Sequence, residues 1–554
     1  MADITLPGAG GGSVTITANG DPNLAIQAQN SLQNAPPPSI VTDTTPVVFQ
    51  PTTVVFSSTP VSPIVFNPNI QNVVLTQGGG TVNVGDTTNG NVALLGGGNS
   101  VVTINTGSAT VIASGGNNQI DGGWNGASIQ VQTGAGDDTI RLNSGGGQAS
   151  VGGGNNSVIA VGGNTIVAGD GNNSLWGVNG TNALLGNGNN SVVVSQGSNT
   201  IVAGSGANNI VVQNGSSSIV AGGGGNSVWV ASGNTTVTTG DGNNNVFLGG
   251  GGQVSTGAGN DLVVAEGGGA RIDVGGGANW VQANSSNNTI AAAGGTVNLA
   301  AGGNTVDAGS GTVVLGSGFA NAINLTGSGS WINAGTGSTV TGGAGNNIVN
   351  VTGNLTFIGG AGNDTVLGNS FSVTITGGSG AGWYVGGTAG SNSLTAGDGE
   401  TVLISGGNND TLIASGAGGD QLLASSGNVT LLGGTSTGSN WYGLAGGNAV
   451  ASIVGGAGGE NFAFGRGNAT VTGGDGSDFF RFSDVDTNGN TITISDFAVG
   501  TDFLRINGYT GAGSDVDGII SIGGSANTEL TLSDGTRIIL SGVTNDGTAN
   551  RFFT

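Results

Sequence analysis

The chain has 554 residues, of which 119 are Gly and only 7% are charged, against roughly 25% in an ordinary soluble domain. It contains no His, no Cys and no Lys. These absences exclude Ser-His and Cys-His catalytic dyads, Schiff-base lysines and zinc sites of the His/Cys kind. The net charge of −23 argues against nucleic acid and anionic membrane surfaces as partners. No run of about 18 apolar residues occurs, so we expect no membrane insertion.

The first predicted segment covers positions 1–72. All ten Pro lie between Pro7 and Pro68, and a helix-start signal predicts one short helix, Pro22–Leu32. Strand-like pieces such as Thr52–Phe56 follow. The pattern predicts an extended arm over residues 1–72, which is either a flexible leader or an arm that docks on a neighbouring copy. The start of the chain lacks a basic region and an apolar core, so we expect no N-terminal secretion signal.

Residues 73–478 repeat with a period of about 17–18 residues, and self-similarity at a fixed short period is the signature of a stacked repeat fold. The pattern is Gly-x-Gly-x-(Asn/Asp)-x-apolar, and we expect its apolar residue to point inward between stacked strands. The Asn/Asp position falls at Asp138, Asn156, Asn173, Asn190, Asn208, Asn226, Asn244, Asp261 and Asn279. The apolar residues, two positions later, are Ile140, Val158, Leu175, Val192, Ile210, Val228, Val246, Val263 and Val281.

A shorter unit appears halfway through each period, with an Asn followed two residues later by an aliphatic residue. Its copies are Asn164 with Ile166, Asn182 with Leu184, and Asn199 with Ile201. Each period therefore contains two short strands and two Gly/Asn turns, and such a coil buries its apolar residues only by stacking on its neighbours. The sequence predicts an all-β fold: a long β-solenoid with two strands per coil, an extended N-terminal arm and a β-rich C-terminal cap.

Trp recurs about every 52 residues, or about every three coils, as a slower repeat laid over the main one. Strand alternation predicts that Trp176, Trp229 and Trp280 face outward, whereas Trp383 falls near an inward register. An outward row of Trp is one hypothesis, for lateral packing or for stacking on glycans. The other is a relic of duplicating a three-coil unit, with each Trp covered by neighbouring strands.

Two turns match the nonapeptide Gly-Gly-x-Gly-x-Asp-x-apolar-x in full, at Gly359–Leu367 and Gly473–Arg481. This nonapeptide is the signature of calcium-binding β-rolls. From about residue 75 to residue 554, the arrangement resembles the RTX (repeats-in-toxin) family. The resemblance implies Ca²⁺ held by turn carboxylates and backbone carbonyls, export by type I secretion, and an extracellular or cell-surface location.

Asn replaces Asp in seven of the nine consecutive turns. Asn is a weaker Ca²⁺ ligand, but its amide bonds to the identical Asn one coil away, so we expect Asn ladders and a dry aliphatic core to hold most of the solenoid. Calcium is expected at acidic turns, with Glu460 and Asp478 as the best pair; the alternative for each lone Asp is ordinary turn capping. The candidate ligands are Asp138, Asp261, Asp364, Asp420, Glu460 and Asp478.

Residues 479–554 change character, because aromatic residues appear and five of the seven Arg lie between 466 and 551. The succession Phe479–Phe482, Ile492–Phe497 and Gly500–Leu504 resembles the flank that follows the RTX rolls of secreted proteins. By that resemblance the segment caps the solenoid and carries the export signal near Arg551–Thr554. A cap that only prevents end-on aggregation of the last strand edge is compatible with the same residues.

The sequence favours a non-catalytic function. No segment interrupts the repeat to form a cleft around paired carboxylates, so we expect no enzyme. The first hypothesis is an exported structural protein that self-assembles into a filament, surface layer or matrix, with its N-terminal arm as one candidate contact. The alternative is a monomeric, calcium-dependent adhesin or glycan-binding rod that uses the outward Trp residues.

Overall fold

A computed structural model of the chain is nearly all β. The chain divides into two compact units, which we call the first unit (residues 1–281) and the second unit (residues 282–554). The predicted helix Pro22–Leu32 lies outside the described residues. The structure describes residues 2–7, 13–18, 39–41, 52–56, 59–60, 63–65, 70–77, 79–86, 91–126, 128–143, 146–316, 319–446, 449–483, 489–508, 519–523, 525–546 and 549–552.

The first unit is a stack of coils in which each coil gives one strand to each of two parallel sheets. A separate antiparallel hairpin joins Ala2–Pro7 to Ser13–Ala18, and a short 3-10 helix spans Trp124–Gly126. The strands of sheet 1 are Ser39–Val41, Thr52–Phe56, Ile70–Leu75, Asn91–Leu95, Ala109–Ala113, Ile129–Gln132, Gln148–Val151, Thr165–Ala168, Asn182–Leu185, Thr200–Ala203, Ser218–Ala221, Thr235–Thr239, Gly252–Ser255 and Arg271–Val274. Those of sheet 2 are Ile64–Val65, Thr81–Asp86, Val101–Thr106, Gln119–Gly122, Thr139–Leu142, Ser157–Val161, Ser174–Val178, Ser191–Val194, Asn209–Val212, Ser227–Val230, Asn245–Leu248, Leu262–Ala265 and Trp280–Ala283, which crosses the unit boundary.

The second unit has the same construction, and a 3-10 helix, Ala549–Phe552, lies near its C-terminus. Sheet 1 contains Thr289–Ala292, Thr305–Ala308, Ala322–Leu325, Ser338–Thr341, Leu355–Ile358, Val373–Thr376, Ser393–Thr395, Asp410–Ile413, Gly427–Leu432, Ala449–Val454, Gly467–Thr472, Thr491–Ile494, Ile519–Gly523, Thr528–Leu532 and Arg537–Leu540. Sheet 2 contains Thr296–Leu299, Val313–Gly316, Trp331–Ala334, Ile348–Val351, Thr365–Leu367, Trp383–Val385, Val402–Ile404, Gln421–Ala424, Trp441–Leu444, Asn461–Phe464, Phe479–Ser483 and Phe503–Asn507. The predicted two-strand β-solenoid is therefore confirmed.

The core lies between the two sheets and consists of the side chains that alternate inward along each strand. All nine aliphatic residues of the main repeat, from Ile140 to Val281, are buried, as predicted. Their partners from the other sheet include Ile166, Ile201 and Ile219, which are also fully buried. Burial of each such aliphatic side chain stabilises the fold by about 1.5–3 kcal/mol.

The predicted inward position of Leu184 is wrong. Leu184 is 51% exposed, whereas its strand neighbours Ala183 and Leu185 are buried. The reason is that Thr181, not Asn182, occupies the buried turn position, where its backbone N–H donates to Asn199 Oδ1 at 2.8 Å. Thr181 therefore stands in the register position that Asn164 and Asn199 occupy in the neighbouring coils.

Parallel pairing begins inside the segment that the sequence assigns to an arm. Ser39–Val41 pairs in parallel with Thr52–Phe56, which pairs in turn with Ile70–Leu75. The side chains of Val54 and Val55 are buried. These three strands therefore continue sheet 1 of the first unit toward the N-terminus.

The coils of the second unit lengthen toward its C-terminus and acquire an aromatic core. Leu422 pairs with Tyr442, and Tyr442 with Phe462, so these two coils are longer than those of the main repeat. The Tyr442 and Phe462 rings stack with centroids 5.0 Å apart, and the Phe462 and Phe480 rings with centroids 4.8 Å apart. The longer coils thus enclose a wider core that large rings fill.

The sheet changes from parallel to antiparallel pairing near the C-terminus. Thr491–Ile494 pairs in parallel with Arg537–Leu540, which then pairs antiparallel with Thr528–Leu532, followed by Ile519–Gly523. Phe497 packs edge-on against Phe552 at 6.0 Å. The described part of the predicted cap is therefore β-rich. Within the described residues, no helix combines the length and apolar character needed to cross a bilayer.

Candidate functional site

A ladder of buried Asn side chains lines one edge of the first unit. Asn190 Nδ2 donates to Asn208 Oδ1 at 2.9 Å, and Asn208 Nδ2 donates to Asn226 Oδ1 at 2.9 Å. The same amide nitrogen of Asn208 also donates to the carbonyls of Gly204 and Gly206 in its own turn, at 3.0 and 3.1 Å. Each amide therefore joins its turn to the next coil, as the predicted Asn ladder requires.

Two predicted calcium ligands, Asp138 and Asp261, occupy positions in this ladder. Asp138 Oδ1 accepts hydrogen bonds from Asn118 N and Nδ2 at 2.8 and 3.0 Å, and Asp261 Oδ1 accepts the equivalent bonds from Asn244. The Oδ2 atom of each Asp is buried without a hydrogen-bond partner. A carboxylate cannot donate to the turn carbonyls as an Asn amide does, so this oxygen is left for a proton or a cation.

Four buried acidic residues among those described in the second unit have both carboxylate oxygens bonded to N–H donors. Asp420 Oδ1 accepts from Thr401 N at 2.9 Å, and Oδ2 from Ser415 N at 3.0 Å. Glu460 accepts from Asn440 N at 2.7 Å and from Gly456 N at 3.1 Å. Their turns therefore point N–H groups, not carbonyls, at the acid. The four residues are Asp410, Asp420, Glu460 and Asp502.

The structure brings Glu460 and Asp478 together in adjacent coils. Glu460 N donates to Asp478 Oδ1 at 2.8 Å, and Asp478 N donates to Asp502 Oδ1 at 3.0 Å. Burial raises the pKa of Asp478 to about 7, opposed by the N–H bond from Glu460 and reinforced by the neighbouring charge of Asp502. Burial likewise raises the pKa of Asp420 to about 6. Sequence analysis missed Asp502, because the coil that separates it from Asp478 is longer than the usual repeat.

The oxygen atoms that these turns offer determine where a cation can bind. Ca²⁺ takes six to eight oxygen ligands, but no group of three His, Cys, Asp or Glu side chains suited to a metal ion occurs among the described residues. The oxygens of Asp420 and Glu460 accept N–H bonds from their own and neighbouring turns. The unpartnered Oδ2 atoms belong to Asp138, Asp261, Asp364 and Asp478. Calcium at all six predicted ligands stays a prediction.

We expect Asp138→Asn to stabilise the first unit by about 1 kcal/mol at pH 7, because an amide can donate where the carboxylate leaves Oδ2 unpartnered. Burial raises the pKa of Asp138 above its ordinary value of 3.8. The folded wild type therefore holds this proton more tightly than the unfolded chain and loses stability as pH rises through the raised pKa. The advantage of the variant should be absent near pH 4 and appear by pH 7, as measured by urea denaturation in a chelator.

Asp137→Asn is the matched control, because Asp137 is exposed and its Oδ1 accepts Asn155 N, a bond that Asn keeps. It should change stability by less than about 0.5 kcal/mol. Repeating the series in millimolar Ca²⁺ tests the metal directly. Calcium-dependent stability of the wild type that Asp138→Asn abolishes would establish a cation, not a proton, at Asp138 and contradict the expectation.

The Trp residues of sheet 2 lie on its outer face. Trp176 is 54% exposed and Trp229 is 49% exposed, and Trp280 is exposed as well, so their predicted outward orientation is confirmed. The prediction for Trp383 is wrong: it is 48% exposed, and the adjacent Tyr384 points into the core. Tyr384 pairs in register with the buried Val366, so the inward position of this strand falls on Tyr384 and not on Trp383.

In the first unit, Trp176 and Trp229 belong to an apolar column that runs across seven adjacent strands. Trp229 stacks on Phe247 with centroids 4.0 Å apart and an interplanar angle of 13°. At about 4.8 Å per strand, the column extends for about 30 Å. The residues of this outer apolar column are Ile159, Trp176, Val193, Val211, Trp229, Phe247 and Val264.

A second apolar column lies on the outer face of sheet 1 in the same unit, where Val167, Leu184, Val202 and Val220 follow one another in register. Leu184 and Val220 are exposed. The two sheets face each other across the core, so the two columns point in opposite directions. Sequence analysis missed this second column because it placed Leu184 in the core.

Comparison with known protein families and with curated proteins finds no match to this sequence. The parallel solenoid is compatible with a β-roll fold, and the likeness to RTX proteins rests on the turn motifs alone.

Proposed function

We propose that the protein is an exported structural protein that self-assembles laterally through the outer faces of its solenoid. The observation that carries the proposal is the outer apolar column, Ile159 to Val264, which lies in register and contains no charged residue. Contiguous exposed apolar surface on a soluble protein marks an interaction site. A repeat structure supplies such a site at regular intervals.

The second apolar column supports polymerisation over simple dimerisation. Val167, Leu184 and Val220 point away from the side that carries Trp229. A subunit with two different adhesive faces forms head-to-tail contacts, which generate open filaments or sheets unless a rotation closes them into a ring. Calcium at the acidic turns, type I secretion and a cell-surface location belong to this proposal through the RTX resemblance alone.

Trp229→Glu tests the proposal, because it places a charge in the middle of the outer apolar column. We expect the concentration needed for assembly to rise at least about tenfold, which corresponds to a loss of about 1.4 kcal/mol per contact. Ser227→Glu is the matched control, since Ser227 is exposed on the same face of the same strand, outside the column. Sedimentation velocity over a concentration series measures both.

Two results would contradict the proposal. Wild-type protein that stays monomeric at all concentrations would exclude self-assembly and favour the monomeric adhesin. Equal effects of Trp229→Glu and Ser227→Glu would show that added charge, not loss of the apolar column, governs association.

A further inference from the structure

A hollow lies on the outer face of sheet 2 in the second unit, over the small residue Ala463. Leu423, Gly443, Ala463 and Arg481 are successive partners in register on adjacent strands. The Trp441 ring covers Gly443, and the small side chain of Ala463 leaves a depression between that ring and Arg481. The resulting cavity has a volume of about 500 Å³, within the range of roughly 300–1,000 Å³ that small-ligand sites occupy.

Trp441 forms one wall of this cavity. A Cβ atom at Gly443 would lie 2.6 Å from Trp441 Cζ3 and 2.7 Å from Leu423 Cδ2. The indole therefore lies against the sheet over Gly443, packed on Leu423, and keeps an exposed side. A fixed, partly exposed aromatic ring of this kind offers a flat surface to a ligand.

The opposite wall carries two Arg residues, Arg466 and Arg481, and none of the described lining residues is acidic. The ion pairs found among the described residues are Arg537 with Glu529 and Arg551 with Asp546, and neither includes a cavity residue. In a chain with a net charge of −23, two guanidinium groups therefore lie beside a single cavity.

Arg505 extends the positive charge to the next strand. It is the register partner of Arg481, and both side chains are exposed on the same face. Like charges placed directly opposite each other destabilise a pair of strands. An anionic ligand that bridges them removes this cost and gains charge-assisted hydrogen bonds.

We propose that this cavity binds an acidic polysaccharide, a chain of sugars that carry carboxylate groups. Trp441 stacks on the apolar face of one sugar ring, while Arg466 and Arg481 bind its carboxylate. Ser483, which also lines the cavity, bonds to a hydroxyl group. Arg505, one strand further along, meets the carboxylate of the next sugar. A polymer fits better than a single small anion because the positive groups lie on successive strands.

The test is isothermal titration of the full chain with a hexamer of galacturonic acid, and with a neutral glucose hexamer at the same concentration. We expect the acidic hexamer alone to bind, with an affinity that falls as salt rises. Arg481→Gln should weaken binding at least tenfold, whereas Arg537→Gln, in the existing ion pair with Glu529, should leave it unchanged. Trp441→Ala should weaken binding, and Trp331→Ala, an exposed Trp of the same sheet, should not.

The proposal is overturned if the neutral hexamer binds as well as the acidic one, or if Arg481→Gln binds like the wild type. It is also overturned if Arg481→Gln abolishes self-association and leaves sugar binding intact, because the positive groups would then pair with acidic residues of a second copy. Circular dichroism confirms that each variant is folded. Binding of the acidic hexamer is also measured on Trp229→Glu, the variant designed to block assembly. This measurement separates a failure of assembly from a failure of sugar binding.

Discussion

Asn208→Ala should destabilise the first unit by about 3 kcal/mol or more, since it removes the centre of the buried Asn ladder. Asn208 Oδ1 accepts from Asn190 N and Nδ2, and its Nδ2 donates to Gly204, Gly206 and Asn226. Each buried polar group left without a partner costs about 1–3 kcal/mol, and several partners of Asn208 lose a bond together.

The measurement for Asn208→Ala combines urea denaturation with amide hydrogen exchange of Ser191–Val194 and Asn209–Val212, the strands that flank the broken ladder. Asn209→Ala is the control, because Asn209 is the next residue and is exposed. It should change stability by less than about 0.5 kcal/mol. Similar losses for both variants would show that the ladder contributes little and that the aliphatic core alone holds the coils.

Gly224→Ala should be comparably damaging, for a steric reason. Gly224 has a φ of +126°, and a Cβ atom there would lie 2.5 Å from the carbonyl oxygen of Gly206 and 2.7 Å from its carbonyl carbon. Relief requires the two coils to separate, which breaks the Asn ladder beside them. Backbone strain of this kind costs about 1–3 kcal/mol by itself, so we expect a total loss of about 3 kcal/mol or more.

Gly223→Ala provides the control for Gly224→Ala in the adjacent position. The nearest atom to a Cβ at Gly223 is the Asp241 carbonyl oxygen at 3.8 Å, an ordinary contact. We expect a change below about 0.5 kcal/mol. A Gly224→Ala protein that unfolds at the wild-type urea concentration would contradict the tight stacking of these turns.

The main repeat could be predicted from the sequence because two independent signals agree in it. The Asn/Asp position sets the turn, and the aliphatic residue two positions later sets the inward face. The second turn of each coil carries only one such signal. There, Thr181 replaces Asn, and the neighbouring Asn182 shifted the predicted register by one residue, which put Leu184 in the core.

The acidic turns could not be predicted in the same way. Asp138 and Asp420 occupy the same position of the Gly-x-Gly-x-Asp pattern, yet Asp138 has an unpartnered oxygen and Asp420 has two bonded ones. The difference lies in whether the turn directs N–H groups inward, which depends on backbone angles of its Gly residues. Likewise, the alignment of Arg481 with Arg505 appears only once the longer coil between them is known.

The measurement that tests the central claim most directly is negative-stain electron microscopy of the purified chain over a range of concentrations, in calcium and in a chelator. Self-assembly through the outer apolar columns predicts ordered filaments or sheets that Trp229→Glu abolishes and Ser227→Glu retains. If the filaments or sheets disappear in the chelator, calcium takes part in the contacts between subunits. Isolated particles in both solutions at every concentration would contradict the structural role and leave a monomeric binding protein.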